Sequence, residues 1–284
     1  METIGQTELW SFCDTKPKIR KATNPQIRKA AGHMVSSYME LATKVAELQF
    51  ENRDHVLLFR GQNGDFRNTD DNTSLKPTLF RADPQRLMGV TWETLFAERF
   101  ETLRKAEKEL VRHFSLNARG NTKHLRRYRI LRWALLQHYD VCATPLLDVT
   151  HSLRIAASFA SIGASEKAFV FVLGVPNLSG AITASAEGGL QIVRLSSVCP
   201  PTAVRPHIQE GYLLGEYPDM VDFDQKRRYE SHEIDFGRRL IAKFWFDPVT
   251  FWKNDSFSMV AAGDLYPNAM DPIFKLAEAV KLSI

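Results

Sequence analysis

The feature that most constrains this chain is the run Ala168-Phe169-Val170-Phe171-Val172-Leu173, six apolar residues without a polar break, closed by Gly174 and Pro176. A run this short, rich in β-branched and aromatic residues and ended by turn formers, reads as a central strand. Val56-Leu57-Leu58-Phe59 is a second continuous apolar run, entered from the turn Asn52-Arg53-Asp54, and Gln191 to Leu195 reads as another strand, partly alternating. Helical periodicity separates these strands. Met34, Tyr38, Leu41, Val45 and Leu48 recur at steps of three and four. Thr91 is placed to cap a helix from Trp92 to about Phe114, and a second helix fits Leu125 to Tyr139. A helix from Leu153 to Ile162 has Thr150 or Ser152 as its cap, and Asp271-Pro272 opens a last helix with Ile273, Leu276, Ala277 and Val280 inward. Strands and helices interleave without the regular alternation of a doubly wound sheet, so the fold class is α+β. Residues 1–30 show little periodicity and contain Pro17 and Pro25, and read as an N-terminal extension to a domain over 31–284.

The chain has 284 residues, 44% of them hydrophobic and 25% charged, enough for a sizeable core. No apolar run approaches the roughly 20 residues that span a bilayer, and METIGQTELW lacks the basic-then-apolar pattern of a secretory signal. Cys13, Cys142 and Cys199 are odd in number and far apart, which argues against a disulfide framework or a cysteine zinc site. A cytoplasmic protein is the expectation. The net charge of +4 is unevenly spread: residues 104–132 hold ten Lys or Arg against two Glu, and residues 16–29 hold six with no acid. Arg104, Lys105, Arg112, Arg126, Arg127 and Arg129 are therefore candidates for holding nucleic acid or an acidic protein, set against the plainer reading of a solvated helix face.

Several segments in order carry a family resemblance: LLFRGQ (57–62), LKPTLFR (75–81), LLQHY (135–139), LLDVTHS (146–152) followed by IAASFA (155–160), and AFVFVL (168–173), with HIQEGY (207–212) and DLYPNAMDPI (264–273) as weaker echoes. Together they resemble the FRG domain, named for a motif present here as Phe59-Arg60-Gly61. The motif-bearing part covers about 56–284. The chain departs from the family pattern at Asp140 (commonly glycine), Pro145 (commonly arginine), Val149 (commonly tryptophan) and by one extra residue before Leu146. The resemblance implies a mixed β core like that of ADP-ribosyltransferases, with NAD as the consumed cofactor, an unidentified acceptor, no metal, and a role as a toxin or defence effector.

On that implication Arg60, with Gly61 and Gln62, grips the phosphates or ribose of NAD. An arginine after four apolar residues needs a buried or bound anion, and Asp65 or Asp148 would serve as well as a ligand. Gly61 would let a ligand approach the backbone. Asp148, Thr150 and Ser152 lie at a strand-to-helix turn that either braces the nicotinamide end or simply caps the helix. His138 ends a helix, where it binds substrate, moves a proton, or faces the dipole. Asp148 would orient His138 or neutralise Arg60. A metal triad of His138, His151 and Asp148 has no ligand spacing behind it. Glu210 is the catalytic candidate, because a carboxylate facing an oxocarbenium-like ribose lowers the barrier, and Gln209 is the alternative match to the family position.

Overall fold

The computed structural model describes Ile4 and residues 8–13, 18–81, 90–117, 122–228, 234–253 and 257–284. Among the described residues ten strands are formed: β1 (Leu9–Ser11), β2 (Arg20–Ala22), β3 (His33–Met34), β4 (Val56–Gln62), β5 (Leu147–Thr150), β6 (Ala168–Val175), β7 (Ile182–Ser185), β8 (Leu190–Arg194), β9 (Gly211–Glu216) and β10 (Leu240–Phe246). The helices among the described residues are α1 (Asn24–Lys29), α2 (Tyr38–Glu51), α3 (Trp92–Asn117), α4 (Thr122–Arg127), α5 (Arg129–His138), α6 (Leu153–Ser161), α7 (Leu195–Val198), α8 (Val204–Ile208), α9 (Phe223–Arg227), α10 (Pro248–Phe251), α11 (Ala262–Leu265) and α12 (Pro272–Lys281). Mixed α+β architecture results. None of these helices is long and apolar enough to cross a membrane.

Eight strands form one sheet in the order β3-β10-β6-β4-β5-β9-β8-β7, antiparallel throughout except for the parallel pair β10 and β3. The uninterrupted apolar run becomes β6, buried at every position and flanked by β10 and β4. It continues through Gly174 to Val175. β4 likewise runs past Phe59, so Arg60, Gly61 and Gln62 are strand residues.

The sheet parts at one place. β4 pairs with β6 along its whole length, but it pairs with β5 only at Phe59 and Thr150. Beyond that point the ladder between β4 and β5 is missing, and the backbone groups on the open edges need other partners. α6 follows β5 directly and packs on β4 and β6. Its approach is close: a β-carbon built on Gly61 would lie 1.8 Å from the Ala156 carbonyl oxygen and 2.7 Å from the Ala160 nitrogen. Gly61 is therefore needed for helix-on-strand packing, a different reason from the ligand approach read from the sequence.

Several local expectations are corrected. Met34 belongs to β3, and the first long helix starts at Tyr38, where Ser37 accepts from the Glu40 amide. The single helix expected over Leu125–Tyr139 is divided at Tyr128 into α4 and α5. Neither Thr150 nor Ser152 caps α6 with its side chain; Thr150 Oγ1 accepts from the Ser152 amide and donates to the carbonyl of Gln209 at 2.8 Å. Pro25, in the stretch where no helix was expected, stands in the first turn of α1, where its missing N–H costs nothing. Ile4, Leu9, Phe12 and Ile27 join the same core as β6, so the described part of residues 1–30 is packed into the domain; Pro17 lies outside the described residues. At the other end, Asp271 caps α12 as expected, accepting from the Ile273 amide.

Candidate functional site

A cleft of about 490 Å³ opens where β4 and β5 separate. Its walls come from β4 (Phe59 to Gln62), β5 (Asp148 to Thr150), the end of α5 (Gln137, His138) and the segment after α8 (Gln209, Gly211), with Arg81, Asp140, Arg205 and Tyr266 around it. The volume falls in the range of small-molecule sites, roughly 300–1,000 Å³.

Arg60 fills part of the missing ladder. Its Nη1 donates to the Asp148 main-chain carbonyl at 2.6 Å, while its Nε is buried without a partner. Burial pushes the Arg60 guanidinium down to about 10, with Arg81 adding to the effect and Asp148 opposing it, so it stays charged at neutral pH. Asp65, the other acid considered for it, serves Lys243 and Arg67 instead.

Asp148 is one of the two carboxylates that line the cleft, with Asp140. Its side chain is 39% exposed. Gln137 Nε2 donates to Oδ2 at 2.6 Å, and His138 Nδ1 lies 3.5 Å from Oδ1. The Gln137 amide is oriented from behind, since its Oε1 accepts from the buried Thr144 hydroxyl at 2.5 Å. Burial disfavours the Asp148 charge, but the bond and charge of His138, the Arg60 guanidinium and the Gln137 amide outweigh it and hold the carboxyl below its usual range. Asp148 thus places its carboxylate beside His138, while Arg60 is bonded to its main-chain carbonyl.

His138 is 3% exposed, and its Nε2 has no partner. Gln62 Oε1 and Arg205 Nε are also buried without partners, which makes four such atoms in this one cleft with Arg60 Nε. Unpaired buried polar atoms are rare because each forfeits its hydration, and four of them lie together in this cleft.

Residues 55–168 match the family model of the FRG domain. The chain carries an FRG domain. No curated protein and no solved structure gives a match. The matched stretch runs from the start of β4 through α6 and contains Arg60, Gly61, Gln62, His138, Asp148, Thr150 and Ser152. Arg205, Gln209 and Tyr266 complete the cleft of the FRG domain from beyond that stretch.

The other sequence candidates divide. Thr150 lines the cleft but is committed to the Gln209 carbonyl, and Ser152 is not among the lining residues. Gln209 lines the cleft with its Nε2 tied to the Leu265 carbonyl at 2.7 Å. Glu210 is exposed, outside the lining, and holds a left-handed backbone (φ 45°) whose carbonyl accepts from the His151 amide. Glu210 thus does not join Arg60 at the cleft. No group of three His, Cys, Asp or Glu side chains suited to a metal occurs among the described residues. On the basic helices, Arg104 pairs with Glu101, Arg112 with Glu109, and Arg129 with Glu107. Lys105 is exposed, Arg126 donates to the Ser115 hydroxyl, and Arg127 lies over the Tyr128 ring.

Sequence reasoning gave no role to Gln137, Arg81, Asp140, Arg205 or Tyr266. Gln137 lay inside the segment that carries the resemblance and was reachable. Tyr266 lay in the weaker echo over 264–273, whereas Arg205 carries no local signal, since chain folding alone brings it to the cleft.

Proposed function

We propose that this FRG domain cleaves nicotinamide from NAD and passes the ADP-ribose to an acceptor, with Asp148 in place of Glu210 as the carboxylate facing the ribose. The observation that supports it is the ionised, half-open Asp148 carboxylate, set beside arginines and unsatisfied donors. In the reaction the bond between ribose C1 and the nicotinamide nitrogen breaks, and its electron pair leaves with neutral nicotinamide. Positive charge grows on the ribose, and a carboxylate already fixed by Gln137 and His138 opposes it without reorganising. Arg60 and Arg81 suit the phosphates, while Phe59, Phe66, Phe159 and Tyr266 offer apolar and aromatic surface to flat rings. A nucleophilic nitrogen or oxygen of the acceptor, protein or nucleic acid, then forms the new bond to C1 and gives up its proton to water.

Purified protein and NAD labelled in either half test this. Nicotinamide release is expected to fall about 100-fold or more in Asp148→Asn and Arg60→Ala, and to stay within about twofold in Glu210→Gln. Wild-type protein that neither releases nicotinamide nor labels any component of a cell extract would end the reading. Loss in Glu210→Gln with none in Asp148→Asn would return the role to Glu210. A non-catalytic module binding nucleic acid or an acidic protein is the second reading, favoured only by the exposed α4 pair Arg126 and Arg127, whose contacts leave their charge in place.

A further inference from the structure

Arg205 closes one end of the cleft. Its side chain is 8% exposed and lies over the rings of Tyr266 (4.7 Å) and Tyr139 (5.7 Å). The backbone beneath it is anchored, because the Arg205 amide donates to Asp271 Oδ2 at 2.9 Å and the Tyr139 hydroxyl donates to the same oxygen at 2.8 Å. A guanidinium presents Nε and one Nη side by side, as two parallel donors that fit two oxygens of one anion. Here Nη2 donates to Asp140 Oδ2 at 2.9 Å, whereas Nε is buried with no partner. The one acid on this arginine uses half of its fork.

Asp140 is unusual in its own right. It follows the C-terminal cap of α5 in the left-handed region, φ 53°, a place where glycine sits without strain. An aspartate held there carries its carboxylate to the cleft, yet 70% of its side chain stays exposed. It can swing into water without disturbing the buried arginine.

We propose that Arg205 is the receptor for a phosphate group and that Asp140 is a built-in counter-ion, holding the subsite until a phosphate displaces it. A tetrahedral anion satisfies Nε and Nη2 together, which Asp140 does not. Arg60 lines the same cleft and also has a buried Nε without a partner, a second candidate donor should the ligand be a diphosphate. This rests on the anion-binding part of the NAD reading and is independent of its chemistry. The diphosphate belongs either to a dinucleotide or to a free anion, and the test separates the two.

Titration calorimetry with inorganic pyrophosphate and with NAD on the full chain decides it. Asp140→Gly and Asp140→Asn are expected to bind pyrophosphate roughly fivefold tighter than wild type, the loss of a competing exposed ion pair. Arg205→Met is expected to lose this binding and, combined with Asp140→Asn, to show no gain. If Arg205→Met does not fold, Arg205→Lys keeps the charge but not the paired donors, and is expected to bind at least as weakly as wild type with no gain from Asp140→Asn. Pyrophosphate binding unchanged or weakened in both Asp140 variants overturns the proposal, as does a folded Arg205→Met or Arg205→Lys protein that binds like wild type and gains from Asp140→Asn. A gain for pyrophosphate but not NAD upholds the subsite and removes the dinucleotide from it. A gain for NAD without nicotinamide release by any variant upholds the subsite and ends the catalytic reading.

Discussion

The cleft and the face made by α3, α4 and α5 both display arginines, and Arg104 and Arg112 on α3 are treated in the opposite way from Arg60 and Arg205 in the cleft. On the helices Arg104 and Arg112 are exposed and lie against glutamates one turn earlier. Among the described residues, Arg60 and Arg205 in the cleft each make one hydrogen bond from the guanidinium group, and each keeps a buried donor unused. Charge counted along the sequence ranks the helices first, with ten basic residues over 104–132. Unsatisfied buried donors rank the cleft first. The second measure is the better guide to a ligand, because a solvated cation gains little from another anion, whereas a desolvated, half-paired one gains a full hydrogen bond.

Three experiments press on that contrast. The largest effect is expected from Gly61→Ala. The added methyl meets the Ala156 carbonyl oxygen, a backbone atom with little room to retreat, so β4 and α6 must separate. A loss of about 3 kcal/mol in denaturant unfolding is expected, with the cleft disordered as well. Unchanged stability would show that the tight approach does not hold the cleft wall.

A smaller effect concerns pH. The folded Asp148 carboxyl lies below its usual range, so the stability it lends is fully present above the unfolded value of about 3.9 and is lost as pH falls through the lower folded value. Stability followed by denaturation below about pH 4 should therefore depend less on pH in Asp148→Asn than in wild type. Equal slopes would mean that Gln137, His138 and Arg60 do not favour the charged form. The smallest effect belongs to the other region. Arg104→Ala and Arg112→Ala should each cost no more than about 0.5 kcal/mol and leave pyrophosphate affinity unchanged. A matching fall in affinity would join the helix face to the cleft and dissolve the contrast.

Much of the frame was legible because its signals are local. The β6 run, the Val56–Phe59 core of β4, the α3 periodicity and the Asp271 cap of α12 each depend on neighbours a few residues away. The α4–α5 boundary was not legible, since the apolar stripe runs across it and only the chain path shows the break at Tyr128. At the site, the resemblance brought Arg60, His138 and Asp148 into view, and it also brought Glu210, which the fold leaves outside the cleft. The turn after α8 gives Gln209 to the interior and Glu210 to solvent, a one-residue difference that no pattern in HIQEGY encodes.

The amino-acid sequence by itself determined an α+β domain, its FRG segment, its principal strands and helices, and the polar residues at the ends of β4 and α5. Tertiary structure alone decided the strand order, the parting of β4 from β5, the close seat of α6 on Gly61, and the meeting of Arg205 and Asp140 at the cleft. The reason is one of range. Periodicity and caps are set within a turn or two of chain, whereas the Arg205–Asp140 ion pair and the Arg60 bond to the Asp148 carbonyl join residues 65 and 88 positions apart, and these contacts, like the strand pairings, are fixed only when the whole core closes.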